Sequence, residues 1–170
     1  GVGKVLEELS KEFDYIVCDS PAGIEKGANL ALYFADDAFV VTNPEISSVR
    51  DSDRMLGILS SKSRRAERNE EPIKEYLLLT RYDSDRVKSG EMLGLDDVQE
   101  ILSLELLGIM PESRSVLSAS NAGIPVSLNE KSVAGQAYAD VVARYLGEKL
   151  PHRFIDGKQG FLRRLFGGRK

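Results

Sequence analysis

Cysteine and histidine are almost absent from this sequence, which contains one of each, Cys18 and His152. A single cysteine excludes an internal disulfide framework and is typical of a reducing compartment. Because Cys18 lies within an apolar run, we expect a buried core thiol. There is no Cys/His/carboxylate cluster with metal-ligand spacing, so His152 is predicted to be a linker residue. The sequence also lacks any run of 18 apolar residues, which argues against a membrane-spanning helix.

Positive charge is outweighed by negative charge, with 23 Lys and Arg residues against 27 Asp and Glu residues. The net charge of −4 argues against general nucleic-acid binding, which requires a basic surface. At 170 residues, with 42% hydrophobic and 29% charged residues, the chain has the size and composition of one globular domain with a substantial core.

A phosphate-binding loop of the Walker A type is also missing. Gly1–Lys4 looks like the end of such a loop, but the loop needs a preceding strand and a Ser or Thr directly after its lysine. Here Val5 follows Lys4, and the apolar residues between Val2 and Leu9 have helical spacing, which predicts a surface helix. Because the sequence does not begin with Met, we expect it to be the later part of a longer protein.

The sequence does contain a series of short apolar runs separated by segments with helical periodicity. Each run ends in turn-forming or polar residues, as expected for parallel strands buried on both faces. The four predicted strands are Tyr15–Asp19, Ala38–Thr42, Tyr76–Thr80 and Leu106–Met110. Strands that alternate with helices predict an α/β fold with a doubly wound parallel sheet.

The carboxyl ends of these strands form the predicted ligand site, because in such a sheet they meet at one crevice. Asp19 ends the first strand, and a carboxylate there suits a hydrated Mg²⁺ ion on a nucleotide. The following Pro21-Ala22-Gly23 can bring backbone N–H groups close to a phosphate. Asp19 would then share the crevice with Thr80-Arg81 and with the Pro111-Glu112 turn. The alternative is that polar residues simply end each strand in a solvated turn.

The last residues of the chain have a different pattern, and we expect a domain over 1–150, a linker over 151–157 and an amphipathic tail over 158–170. At about 100° per residue, the large apolar side chains of the tail fall within an arc of ~140°, and two arginines lie outside it. This is typical of a helix in a membrane interface with anionic lipids, where two tails on one dimer would bind with higher avidity than one. A helix docked on its own domain is the alternative. The tail residues concerned are Phe161, Leu162, Arg163, Arg164, Leu165 and Phe166.

Four segments, YIVCDSPAGIE, NPEISSVRDSDRMLGIL, LLLTRY and GFLRRLFGG, together resemble the ParA/MinD family of deviant Walker A ATPases. The resemblance runs through essentially all 170 residues in order, but the family's amino-terminal portion with its KGGVGKTT-type loop is not included. It implies a P-loop NTPase-like fold, incomplete at its N-terminal side, with a C-terminal amphipathic membrane helix. It also implies a cytoplasmic bacterial protein, peripheral on the inner membrane, that selects the site of the division septum.

The resemblance further implies ATP and Mg²⁺ as cofactors, an ATP-dependent homodimer, recruitment of MinC, and release from the membrane when MinE stimulates hydrolysis. Asp19 would hold Mg²⁺ through a water molecule, and Asp19 and Gly23 would have catalytic roles. The implied nucleotide contacts are Ser20, Pro21, Arg81, Pro111 and Glu112. The residues implied at the dimer face or the MinC and MinE surface are Glu25, Glu45, Arg50, Asp51, Asp53, Leu56 and Gly57.

The missing Walker A loop limits the expected chemistry, because phosphoryl transfer depends on its lysine and backbone cradle. These 170 residues alone are therefore not expected to hydrolyse ATP. Two other classes stay open: a non-catalytic membrane-binding adaptor and a ParA-like DNA-segregating ATPase. The tail and the acidic balance count against the latter, so no specific nucleic acid is expected as a partner.

Overall fold

A computed structural model describes residues 1–20 and 32–155. These residues form two compact units: the first contains 1–20, 32–38 and 51–75, and the second contains 39–50 and 76–155. The helices are α1 (Val2–Leu9), α2 (Ile46–Lys62), α3 (Arg64–Glu67), α4 (Ser84–Lys88), α5 (Leu95–Leu102), α6 (Arg114–Ala122) and α7 (Val133–Tyr145), with a 3₁₀ turn at Val126–Leu128. The strands are β1 (Asp37–Thr42), β2 (Lys74–Tyr82) and β3 (Glu105–Pro111).

The three described strands form one sheet in the order β1-β2-β3. Strands β2 and β3 are parallel, with Tyr76 opposite Glu105. Five consecutive residues of β3 are buried, whereas β1 alternates and exposes Phe39 and Val41. Three of the four predicted strands are thus confirmed, and the expected burial on both faces applies to β3 but not to β1.

Helix α7 packs on β3 within the second unit. Its Ala137 and Val141 form a buried apolar cluster with Leu107 and Met110 of the strand. Contact is so close at Gly108 that an added Cβ would lie 2.2 Å from Cγ2 of Val141. This glycine therefore sets the distance at which the helix and the strand pack.

Two helix ends in this region have the residue types that favour helix caps. Ser132 caps α7, because its hydroxyl accepts a hydrogen bond from the backbone N–H of Gly135 at 2.9 Å. Helix α6 ends at Gly123, whose φ of 67° is left-handed and favours glycine. A serine cap and a left-handed glycine thus mark the start of α7 and the end of α6.

The first unit has its own small core, in which Ala38, Leu59 and Ile73 are buried. Helix α1 contributes no buried residue, so the prediction of a surface helix is confirmed. Its Gly3 lies against the ring of Phe34, where an added Cβ would be 2.9 Å from Cζ. Gly3 therefore belongs to a helix that packs against an aromatic ring, and not to a phosphate-binding loop. Within the part of the chain that the structure describes, no helix is both long and apolar enough to cross a bilayer.

The prediction of a strand over Tyr15–Asp19 is wrong. The run has no regular secondary structure and does not join the sheet of the described strands, and Tyr15 and Val17 are 63% and 87% exposed. Cys18 is exposed as well, so the expectation of a buried core thiol is also wrong. An apolar run becomes a strand only where a neighbouring strand pairs with its backbone groups, and that neighbour is not part of the local sequence pattern.

Candidate functional site at the carboxyl edge of the sheet

The three strands end, within the second unit, in polar residues that lie close together. Thr80 of β2 donates a hydrogen bond from Oγ1 to Oδ1 of Asn43, the residue that follows β1, at 2.8 Å. The same hydroxyl lies 3.3 Å from the backbone oxygen of Thr42. This contact shows that β1 and β2 end side by side, as the predicted crevice requires.

The turn after β1 is held by several hydrogen bonds. The carbonyl oxygen of Asn43 accepts from the backbone N–H of Glu45 at 2.8 Å and from Oγ1 of Thr42 at 3.3 Å. The next carbonyl, that of Pro44, accepts from the N–H of Leu93 at 3.0 Å. The backbone at the end of β1 is thus fixed from both sides, which holds the side chain of Asn43 in place at the sheet edge.

Arg81 lies at an irregularity in the pairing of β2 with β3. Thr80 pairs with Met110 and Tyr82 pairs with Pro111, so Arg81 has no opposite residue, and its φ of 54° is left-handed. A non-glycine residue in this conformation is uncommon, and such residues are concentrated at binding sites.

At this irregularity in the strand pairing, the side chain of Arg81 lies close to Glu112, the residue that follows β3. One of its guanidinium nitrogens, Nη2, lies 3.6 Å from Oε1 of Glu112, and the two side chains are 63% and 49% exposed. The backbone N–H of Glu112 donates to the oxygen of Tyr82 at 3.1 Å, which joins the two strand ends. An exposed pair at this distance adds little stability, so both groups are available to a polar ligand. The structure therefore brings together Arg81, Pro111 and Glu112, as predicted.

Asp19 and Ser20 belong to the first unit, whereas Arg81, Pro111 and Glu112 belong to the second. Asp19 is exposed and Ser20 is half-buried. A crevice shared by Asp19 with the sheet edge therefore stays a prediction. Several predicted site residues lie outside the described residues: Pro21, Gly23, Glu25, Phe161, Leu162, Arg163, Arg164, Leu165 and Phe166.

The fit of the implied Mg²⁺ ion depends on the carboxylates present. In residues 1–20 and 32–155 no group of three or more His, Cys, Asp or Glu side chains could hold a metal ion. Mg²⁺ that arrives with a nucleotide keeps several waters and needs one or two carboxylates besides the phosphates. The exposed side chain of Asp19 fits that mode of binding, and a metal site made of protein ligands alone does not fit these residues.

The residues predicted to bind protein partners lie at the start of α2 and along it. Asp51, Asp53 and Gly57 are exposed, as are Glu45 and Arg50. Asp51 also forms an exposed ion pair with Arg54 at 3.2 Å.

Leu56 differs from the others, because it is half-buried against the core of the first unit. Part of its apolar surface therefore stabilises the fold. The exposed residues of the predicted partner surface on α2 are therefore Gly57 and three charged residues, Arg50, Asp51 and Asp53.

The sequence reasoning missed a charge cluster at the end of the second unit, in which the buried Asp140 contacts Arg144 and the partly exposed Arg153. A signal was present, since Asp140 lies between the core positions Ala137 and Val141 of an amphipathic helix. A carboxylate at such a position is buried and needs a charged partner. His152, predicted as a linker residue, is half-buried beside this cluster.

Comparison with known proteins adds the family context. No protein-family model matches the sequence. The chain is 64% identical over 170 residues to the septum site-determining protein MinD of Escherichia coli K12, an alignment that covers 99% of this chain and 63% of that protein. The chain thus spans less than two thirds of the length of the curated relatives that it matches.

Solved structures show the same likeness. A chain of the MinC:MinD cell division protein complex of Aquifex aeolicus superposes with a TM-score of 0.78 and 40% identity, over 88% of this chain and 60% of that one. MinD of Pyrococcus horikoshii complexed with Mg-ADP superposes with a TM-score of 0.67 and 25% identity, over 86% of this chain and 58% of that one. These similarities confirm the expected P-loop NTPase-like α/β fold.

Proposed function

This chain belongs to the MinD family of ParA-like ATPases, and from that premise we propose that the protein acts in cell-division site selection as a membrane-associated, ATP-binding protein. ATP and Mg²⁺ are its cofactors, and ATP-dependent dimerisation drives reversible binding to the bacterial inner membrane. The observation that carries the proposal is the close similarity to MinD over nearly the whole chain. The carboxyl edge of the sheet supports it, because Arg81 and Glu112 come together where this fold binds ligands.

The roles of the individual residues follow from this proposal. Arg81 and Glu112 offer hydrogen-bond donors and acceptors to the edge of the adenine ring, and Pro111 offers an apolar surface to its face. When nucleotide is bound, Asp19 would hold Mg²⁺ through a water molecule, and Ser20, Pro21 and Gly23 would serve as the switch near the terminal phosphate, as the family resemblance implies. Bound Mg²⁺ neutralises phosphate charge, which is its usual contribution in phosphoryl transfer. Since the 170 residues of this sequence include no Walker A lysine, we expect no ATP hydrolysis by this chain alone.

Nucleotide binding can be tested by titrating the ¹⁵N-labelled chain with MgADP and following amide resonances. We expect the largest shifts at Arg81, Tyr82 and Glu112. The variant Arg81→Ala should weaken these shifts, whereas Arg54→Ala, which changes an exposed arginine in the first unit, should not. Shifts spread evenly over both units, or no shifts at all, would contradict the proposed site.

Membrane binding is proposed for the tail, residues 158–170. Sedimentation with vesicles that contain phosphatidylglycerol should deplete the chain from solution, and neutral phosphatidylcholine vesicles should not. Phe161→Glu should abolish sedimentation, because a charge in the apolar face opposes insertion. The matched control is Leu128→Glu, which changes a leucine that is 74% exposed in the described part of the chain. Equal loss in both variants would rule out a specific role of the tail.

The exposed face of α2 is proposed to bind MinC and MinE. Asp53 is exposed, so Asp53→Lys inverts a surface charge without disturbing the core. We expect it to weaken binding of both proteins in a pull-down, whereas Glu100→Lys on the exposed face of α5 should leave binding unchanged. Retained binding in Asp53→Lys would place the partner surface elsewhere.

A further inference from the structure

The side-chain amide of Asn43 accepts a hydrogen bond through its oxygen, and its NH₂ group is free to donate. Oδ1 accepts the hydrogen bond from Thr80, as described above. Within residues 1–20 and 32–155, Nδ2 has no hydrogen-bond partner. An amide is planar, so fixing the oxygen also fixes the direction of the two N–H groups. The half-buried side chain therefore offers a fixed pair of donors at the carboxyl edge of the sheet.

The sheet order places these donors relative to the pair of Arg81 and Glu112. That pair lies at the ends of β2 and β3, and Asn43 follows β1, the next strand in the sheet. Neighbouring strands are about 4.8 Å apart, so Asn43 lies one strand farther along the same edge. A nucleotide whose base contacts Arg81 and Glu112 would extend along this edge to reach Asn43.

Hydrogen-bond donors, and not net charge, decide the direction in which it extends. At the β3 end the charges of Arg81 and Glu112 offset each other and the carboxylate of Glu112 offers no donor, whereas at the β1 end, which also carries the exposed Glu45, the amide of Asn43 offers two N–H donors. Phosphate oxygens are strong acceptors, and hydrogen bonds to ionised groups are about twice as strong as neutral ones. The β1 end is therefore the favourable position for the phosphates.

We propose that Asn43 is a nucleotide-binding residue whose Nδ2 donates a hydrogen bond to a phosphate oxygen, and that Thr80 is the positioning residue that orients its amide. This inference rests on the proposed nucleotide site. It assigns that site a phosphate contact outside the strand-end pair of Arg81 and Glu112.

The test compares the affinity of the chain for MgADP with its affinity for adenosine, which carries no phosphate, in NMR titrations. Asn43→Asp removes the donors and adds a negative charge, so we expect affinity for MgADP to fall about tenfold or more while affinity for adenosine stays unchanged. The matched control is Asn69→Asp, which makes the same chemical change at an exposed residue of the first unit.

The role of Thr80 is tested separately. Thr80→Val removes the hydroxyl at nearly constant shape and should weaken MgADP binding about three- to tenfold, because the amide is then free to rotate. Thr80→Ser keeps the hydroxyl and should restore the affinity. A merely structural role of Thr80 would change the affinities for MgADP and adenosine alike.

Each remaining outcome is decisive. If the unmodified chain binds neither ligand, the nucleotide site itself is refuted. If it binds both and Asn43→Asp leaves MgADP affinity unchanged, the site stands and the role of Asn43 is overturned. An equal loss for both ligands overturns the phosphate contact, and unchanged MgADP binding in Thr80→Val overturns positioning by Thr80.

Discussion

Arg153 binds the carboxylate of Asp140 through two hydrogen bonds, from Nε to Oδ2 at 2.8 Å and from Nη2 to Oδ1 at 2.6 Å. The side chain of Asp140 is 9% exposed, and Arg144 approaches it at 3.7 Å. Arg144 in turn donates to the backbone oxygens of Leu150 and Pro151 at 3.0 and 2.8 Å. The two arginines therefore hold the chain beyond α7 against that helix.

We predict that Arg153→Gln lowers the free energy of unfolding by about 2 kcal/mol, because it leaves the buried carboxylate of Asp140 without its two-point partner. The cost is smaller than for a fully buried pair, since Arg153 is 37% exposed and Arg144 remains near. Urea denaturation followed by circular dichroism measures this difference.

The surface pair of Arg54 and Asp51 provides the control for Arg153→Gln. It lies on α2 with side chains 72% and 74% exposed, so Arg54→Gln should change the free energy of unfolding by less than about 0.5 kcal/mol. Equal effects of Arg153→Gln and Arg54→Gln would show that the Asp140 contact does not hold the chain beyond α7.

A second prediction compares a glycine in close contact with a side chain and a glycine that faces open space. Gly108→Ala places a methyl group 2.2 Å from Val141, and should destabilise the protein by about 1–3 kcal/mol because the β-branched valine has little freedom to move. Gly57 lies inside α2 with no atom near its missing Cβ, so Gly57→Ala should stabilise by about 0.5–1 kcal/mol. Thermal denaturation of the two variants measures both signs, and stabilisation by Gly108→Ala would contradict the close packing of α7 on β3.

The regular elements of the second unit could be predicted because their signals are local. Helix α7 has a serine cap and an apolar stripe, and β3 is a short apolar run that ends at Pro111. Parallel strands end at one edge, which is why the sequence alone could place Arg81 and Glu112 together. The left-handed conformation of Arg81 was not predictable, since it depends on the pairing of β2 with β3.

The features that sequence-based prediction got wrong or missed share a physical cause. Each of them depends on a partner that is distant in the sequence. The run over Tyr15–Asp19 has the composition of a strand, but composition does not reveal whether another strand pairs with it. The contact between Asp140 and Arg153 joins a helix to the segment predicted as a linker. Local periodicity identifies the buried position of Asp140 but not the side chain that neutralises it.

A third prediction tests the position of Cys18. Because the thiol is exposed in the structure, we expect it to react with Ellman's reagent in native buffer nearly as fast as in urea. Cys18 is the sole cysteine of the chain, so the released chromophore reports this site alone. A reaction that begins only after unfolding would support the buried strand predicted from the sequence.

The last prediction concerns pH and His152. Burial, and then the nearby charge of Arg144, lower the pKa of His152 below its ordinary value of 6.5, although Asp140 acts in the opposite direction. The unfolded chain therefore binds a proton at this residue more readily than the folded chain. Stability contributed by neutral His152 is present above about pH 6.5 and is lost as the pH falls toward the lower folded pKa.

We expect the free energy of unfolding to fall between about pH 7.5 and about pH 5.5, and His152→Gln to remove part of that fall. The comparison must be made between variants, because burial raises the pKa of Glu75 and gives an opposite contribution at lower pH. Glutamine keeps a polar side chain beside Arg144 but does not titrate, so the difference between the two pH profiles isolates the histidine. Parallel profiles for the two proteins would mean that His152 is protonated equally in the folded and unfolded chains.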